Sequence, residues 1–241
     1  MRLIAIAMLA GLSACSFNND DNQAPGVPGS GTGSARSFQI ADFTEIDLRG
    51  SDDVDVRVGT GFSVRAEGPA AELDRLRIAK EGSTLTIGRF DSNGMNWGKR
   101  EKVTVYVTLP RLAGAEVAGS GTMSVDRVEG ARFAGSLAGS GTLTVATMTV
   151  DAAVFSIAGS GNAKVAGTAK QLQVDVAGSG SLDGASLTAS QASVSMAGSG
   201  DVRATVNGTA KVNVMGSGDV DLGRNADCSV TKMGSGTVRC R

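Results

Sequence analysis

The chain has 241 residues with 23 basic against 24 acidic side chains, no histidine, three cysteines and 4% aromatic residues. A near-neutral balance argues against a nucleic-acid binder, which would show a basic face. The absence of histidine removes Ser-His-Asp and Cys-His catalysis and every His-containing metal site.

Residues 1–15 read as a targeting segment rather than part of a fold. Arg2 supplies the positive start, and Leu3 to Leu12 form an apolar run too short to span a bilayer as a mature helix. Leu12-Ser13-Ala14-Cys15 resembles a bacterial lipobox, which makes Cys15 the expected lipidation site and the membrane an expected partner through the lipid anchor. Ser16 in place of Asp is compatible with outer-membrane sorting. Residues 16–35, rich in Asn, Asp, Pro, Gly and Ser, read as a flexible tether.

Between residues 36 and 112, Phe43–Leu48, Val54–Val58, Phe62–Ala66, Leu85–Ile87 and Val103–Leu109 alternate apolar and polar residues as half-buried strands do. Ala70–Ile78 suits a helical turn, and Phe90–Arg100 reads as a polar loop carrying Trp97. Gly50-Ser51-Asp52-Asp53-Val54-Asp55-Val56 resembles Gly216-Ser217-Gly218-Asp219-Val220-Asp221-Leu222, which predicts early, less regular coils continuous with the C-terminal repeats.

Residues 113–241 are governed by a repeat. Gly-Ser-Gly recurs at Gly119-Ser120-Gly121, Gly139-Ser140-Gly141, Gly159-Ser160-Gly161, Gly178-Ser179-Gly180, Gly198-Ser199-Gly200, Gly216-Ser217-Gly218 and Gly234-Ser235-Gly236, at intervals of 20, 20, 19, 20, 18 and 18 residues. Each motif is flanked by period-two alternation, as in Leu172, Val174 and Val176 before it and Leu143 and Val145 after it. Short strands joined by tight corners at a constant period describe an all-β parallel β-helix, a single-domain solenoid with coils stacked about 4.8 Å apart. Both glycines are expected to supply backbone angles that other residues reach only with strain.

Stacking turns alignment columns into ladders. The third residue after each motif runs Ser124, Thr144, Lys164, Asp183, Arg203, Asp221, Arg239, alternating in charge from Lys164 onward, which reads as a register device on a solvated face. Cys228 and Cys240 fall in inward columns of the last coil, and an envelope location permits their oxidation, so a disulfide closing that coil is predicted. Lys232, in a column otherwise apolar, marks the same coil as a cap.

The opening Phe43–Val56, the run Glu81-Gly82-Ser83-Thr84-Leu85-Thr86-Ile87 followed by Val103–Pro110, and the Gly-Ser-Gly series together resemble the putative auto-transporter adhesin head GIN domain family. The resemblance covers residues 36–240 and implies a right-handed helix at the cell surface or in the periplasm, with no catalytic residues to carry over. Two functions compete. One is a non-enzymatic adhesin-like binding or scaffold module, holding a glycan or protein on its ladder faces and needing no cofactor. The other is a polysaccharide-active lyase or glycosidase using clustered carboxylates, for which the candidates are Asp52, Asp53 and Asp55, and the stacked Asp201 and Asp219.

Overall fold

The computed structural model describes residues 26–90 and 101–240. Cys15, Trp97 and the greater part of the Phe90–Arg100 loop lie outside the described residues, as does the leader.

In chain order the first part holds β1 (Ala35–Phe38), β2 (Glu45–Gly50), β3 (Asp53–Val58), β4 (Ser63–Glu67), helix α1 (Ala70–Leu73), β5 (Leu76–Glu81), β6 (Thr84–Arg89) and β7 (Thr104–Leu109). The repeat region comprises β8 (Gly114–Gly119), β9 (Thr122–Val125), β10 (Val128–Gly139), β11 (Thr142–Gly159), β12 (Asn162–Gly178), β13 (Ser181–Gly198), β14 (Asp201–Val206), β15 (Thr209–Gly216), β16 (Asp219–Asp221), β17 (Asp227–Met233) and β18 (Val238–Arg239). From β8 onward every pairing is parallel, so the predicted β-solenoid is the fold.

Each full coil has three faces. Along β11 the buried positions Leu143 and Val145, Met148 and Val150, then Ala153, Phe155 and Ile157 alternate with outward residues, and the alternation slips twice, at Ala146-Thr147 and at Asp151-Ala152. Two successive outward residues mark the places where the coil turns from one face to the next. The third corner is Gly-Ser-Gly. We call the face after this corner A, the next B, and the face leading into the following Gly-Ser-Gly C.

At the glycine corner the two glycines act differently, which corrects the sequence-based expectation. Only the first adopts the left-handed region, with φ between 115° and 141° from Gly119 to Gly234, a conformation that costs an L side chain energy. Its carbonyl accepts the N–H of the serine in the next coil, as in Ser140 N to Gly119 O at 2.9 Å and Ser160 N to Gly139 O at 2.8 Å. The second glycine has ordinary dihedrals but no room: a Cβ on Gly200 would lie 1.8 Å from the carbonyl oxygen of Gly180. Gly50-Ser51-Asp52 stacks on Gly119-Ser120-Gly121 as the degenerate copy predicted, and Asp52 keeps φ negative too.

The core is a narrow column packed large against small. Phe133 stacks over Ala153, while Gly135 stacks over Phe155, where an added Cβ would meet the ring at 2.7 Å. The two rings meet edge to face at 6.0 Å, a favourable aromatic geometry. Further along, Val174, Val194 and Val212 continue the Phe155 column without exposure.

The shrinking period has a structural source. From β13 to β14 the register passes from Gly184 opposite Ala204 directly to Thr188 opposite Thr205, so Ala185, Ser186 and Leu187 have no counterpart. Asn207–Thr209 then fill the corner that Ser190-Gln191 occupy in the coil before, one residue more. Coils of 18 residues therefore shorten face B and leave faces A and C in register.

The N-terminal region departs from expectation. Its coils do not stack in chain order. β2 lies between β6 and β8, and β3 between β7 and β9, so the β6–β7 coil is added to the outside of the earlier β2–β3 coil. Antiparallel strands then close this end, β4 on β7, β1 on β4, and β5 on β6. Residues 26–35, expected in the tether, are bonded into the fold. Val27 N donates to Ile78 O at 2.7 Å on the free edge of β5, Ser30 bridges Ser37, and Gly68 N donates to Ser34 O, so residues from 26 onward belong to the cap.

The opposite end is tied by chemistry. Cys228, below Ala210 and Ala192 as predicted, is disulfide-bonded to Cys240, a closure over 12 residues that stabilises by about 3 kcal/mol on chain-entropy grounds. Lys232 stands in the column of Leu137, Ile157, Val176, Met196 and Val214, and its Nζ donates to Gly236 O at 2.8 Å.

Gly200→Ala is expected to destabilise the fold by about 3 kcal/mol or more through overpacking, whereas Ser199→Ala at the exposed tip of the same corner costs less than about 0.5 kcal/mol. Chemical denaturation of the two variants checks this, and equal effects would refute the close-approach account of the second glycine.

Candidate functional site

Residues selected for carboxylate chemistry are brought by the fold into structural roles. Asp52 is 1% exposed. Its Oδ1 accepts Nη2 of Arg89 at 2.5 Å and the backbone N–H of Val103 at 3.0 Å, and its Oδ2 accepts Nε of Arg89 at 2.7 Å. Arg89 also pairs with Glu72 of α1 and donates to Glu101 O at 3.0 Å. This network joins the β2–β3 corner to the ends of β6 and β7, and the Asp52 hydrogen bond first, then the charges of Asp52 and Glu72, hold the Arg89 guanidinium above its ordinary pKa against the opposing effect of burial. Asp53 pairs with Lys102 Nζ at 2.9 Å and Asp55 with Arg57 Nε at 3.4 Å.

Asp201 and Asp219 do stack in register, one strand apart. Their surroundings are those of turn carboxylates: Asp219 Oδ1 accepts the N–H of Thr237 in the next coil at 2.7 Å, and the N–H of Asp201 donates to Ser181 Oγ at 3.2 Å. Among the described residues no three acidic, Cys or His side chains are placed to hold a metal ion.

What the fold displays instead is open ladders. On face A, Thr122, Thr142, Asn162, Ser181, Asp201 and Asp219 form one outward column and the predicted charge series another, with Lys164, Asp183, Arg203, Asp221 and Arg239 in register and Asp221 4.0 Å from Arg239. Along the corner between faces B and C runs a groove of ≈ 740 Å³, whose polar lining includes Arg132, Gln171, Gln191, Thr209, Lys211 and Asp227. On face C, Ala138, Ala158, Ala177, Ala197, Met215 and Met233 form an outward apolar column. An apolar groove of ≈ 390 Å³ lies beside it, with Met215 and Met233 each more than 60% exposed.

Sequence reasoning missed a second polar groove, at the capped end of face C, lined by Glu45, Asp47, Arg49, Glu81, Thr84, Thr86 and Glu116. The signal was available: Asp47 stands three residues before Gly50, and Glu116 three before Gly119, so corner alignment puts the two carboxylates in one column. Burial raises the Glu116 pKa, the negative charge of Asp47 raises it further, and Arg49 opposes the shift.

The fold is a parallel β-solenoid whose described side faces carry open ladders. The chain belongs to the family described as "Putative auto-transporter adhesin, head GIN domain", whose pattern matches residues 42–226. Solved structures share the fold. A putative adhesin from Bacteroides fragilis aligns over 90% of this chain and 100% of its own, with TM-score 0.78 and 20% identity. A putative lipid binding protein from Parabacteroides distasonis aligns over 88% and 98%, with TM-score 0.69 and 23% identity. A putative adhesin from Parabacteroides merdae aligns over 90% and 100%, with TM-score 0.65 and 17% identity. No curated protein matches the chain significantly. Adhesin membership fits a surface or envelope protein, and among the described residues no helix is long and apolar enough to cross a membrane.

Two outcomes are expected from these contacts. Asp52→Asn removes the fully buried one of the two carboxylates that pair with Arg89, leaving Glu72 alone, and should cost about 3 kcal/mol, read as a fall in the denaturation midpoint; a loss below about 1 kcal/mol would remove Asp52 from its structural role. Glu116 acts in the other direction. The folded state holds its proton more tightly than the unfolded chain, so above the folded pKa its charge lowers stability, and the penalty fades as pH falls to the ordinary carboxylate range. Glu116→Gln should therefore raise Tm at pH 7, with the gain vanishing near about pH 4, as thermal melts at the two pH values will show.

Proposed function

We propose that this chain is a non-enzymatic, adhesin-like binding module of the cell envelope, anchored to the outer membrane through lipid on Cys15 and contacting glycan or protein ligands with the sides of the solenoid. The observation that carries this is the disposition of the polar groups. Asp52 and Asp53 are engaged in ion pairs that hold coils together, and Asp219 accepts a backbone N–H. Gln171 and Gln191, stacked on neighbouring strands, line an open groove together with Thr209 and Lys211. Glycoside hydrolases need opposed carboxylates beside a bound sugar; an open groove lined by amides, hydroxyls and a few separate charges suits recognition of a polymer without chemistry on it. Family membership supports the same reading.

A second reading, contact with lipid, draws on the apolar column that ends in Met215 and Met233 and on the description of the Parabacteroides distasonis protein as a putative lipid binding protein.

A glycan array probed with the purified protein, with product analysis of every hit, tests the first reading. Saturable binding without cleavage, weakened about tenfold by Gln191→Ala, is the expected result. Cleavage lost in Asp201→Asn or Asp219→Asn would overturn it. Sedimentation with neutral phosphatidylcholine vesicles, abolished by Met215→Ser with Met233→Ser, would move the assignment to lipid.

A further inference from the structure

The groove at the capped end of face C has a volume of ≈ 410 Å³. Four carboxylates, those of Glu45, Asp47, Glu81 and Glu116, line it beside the single guanidinium of Arg49. Asp47 is flanked by Thr86 on one neighbouring strand and by Glu116 on the other. Two acids directly opposite on strands about 4.8 Å apart repel each other. Nothing in the packing calls for them, since Ile46, Leu48, Ala115 and Val117 on the other side of the same strands supply the core.

Asp47 is the decisive residue. It is 6% exposed, yet only its Oδ2 is satisfied, by Nε of Arg49 at 2.8 Å; Oδ1 is buried without a hydrogen-bond partner. Buried carboxylate oxygens are normally paired. Glu45 is steadied beside it by Thr84 Oγ1 at 2.8 Å. Across the strand, Gly114 makes room: a Cβ there would lie 3.1 Å from Glu45 Cγ. The groove is thus a negatively charged receptacle, with one acid fixed, one buried and half-satisfied, and one lifted in pKa by burial and then by its neighbour.

We propose that this groove binds a primary ammonium group, presented by a lysyl side chain or by an amino sugar. An ammonium carries three donors and no acceptor, which suits Asp47 Oδ1, buried without a hydrogen-bond partner, with the other acids of the groove around it. A guanidinium binds best across both oxygens of one carboxylate, and at Asp47 one of those is already held by Arg49. A calcium ion needs several oxygens converging within about 2.6 Å, and no such group exists among the described residues. The volume suits one sugar ring or one side chain. The groups facing Glu116 are Asp47 and Arg49 from β2, with Glu45 beyond them, while β10 presents Ala134, Ser136 and Ala138, none titratable. An incoming cation therefore reverses the repulsion that Glu116 experiences. The site is separate from the groove between faces B and C, so the adhesin reading stands or falls independently of it.

The test is calorimetric titration of the purified protein at pH 7 with Nα-acetyl-lysine methylamide and with glucosamine, alongside N-acetylglucosamine, Nα-acetyl-arginine methylamide and calcium chloride. Saturable binding of either ammonium probe, none of N-acetylglucosamine, and a weakening of about tenfold in both Asp47→Asn and Glu116→Gln are expected. Binding of the lysyl probe alone assigns a protein source, and of glucosamine alone a glycan source. Glu116→Gln keeps the assay decisive, because this variant is expected to melt no lower than the parent. Carboxyl NMR should show the Glu116 titration moving to lower pH when the probe is bound. Silence from both ammonium probes, binding unchanged in both variants, tighter binding of the arginine probe, or calcium binding lost in the same variants would each overturn the proposal.

Discussion

Everything in this molecule depends on how closely two backbones approach at the glycine corner. The first glycine turns its carbonyl along the stack to receive the serine N–H of the next coil, and the second lets that coil lie directly on its predecessor. A Cβ in either place would push neighbouring coils apart. Because the corner fixes the stacking distance and rotation once per coil, faces A and C enter and leave it in register, and every outward or inward column is set by it. The charge series Lys164, Asp183, Arg203, Asp221, Arg239 is legible as a ladder for this reason, and the alternation of sign penalises a coil that slips by one neighbour.

Face B absorbs the variation that the corner forbids elsewhere. Gly167 takes the place opposite Met148 in the 19-residue interval, and the loss of three residues opposite Ala185–Leu187 shortens the later coils. Core volume is kept by local exchange rather than by constant side chains, as with Phe133 over Ala153 and Gly135 over Phe155. A narrow core with few aromatics can tolerate such exchange only where the neighbouring coil offers the complementary size.

Much of this could be read before any coordinates, and the boundary of legibility has a physical cause. Between Gly119 and Gly236 the period carries the information, and column alignment alone placed Cys228 under Ala210 and Lys232 under Val214. Before Gly119 the period is missing. The β6–β7 coil docks outside the earlier β2–β3 coil, a non-local order that alternation within a strand does not encode. The antiparallel β5 followed a stretch whose polarity also suited a helical turn, and only Ala70–Leu73 is helical. Asp52 reads as a candidate catalytic acid in isolation; its meaning lies in Arg89, 37 residues away. The second glycine was assigned to backbone dihedrals because a contact between coils is invisible in one repeat. Asp47 and Glu116 lie three residues before Gly50 and Gly119, so the degenerate corner marks their register; what alignment alone does not show is that Asp47 is buried there.

The two ends of the solenoid are finished by different means, and this bears on where a ligand can sit. Antiparallel strands and residues 26–30 cover the N-terminal edge with backbone hydrogen bonds. At the C-terminal end β17 and β18 pair on one side only, and what stands there is a disulfide and a lysine in an inward column, with Val230 46% exposed beside them. A bare parallel edge invites another strand, and an inward charge is a common deterrent, since adding a coil would bury Lys232 without a counter-charge. The two edges are thereby guarded differently, one by antiparallel pairing and the other by an inward charge. The open columns therefore lie on the sides, and on faces A and C they keep their register through the repeat coils.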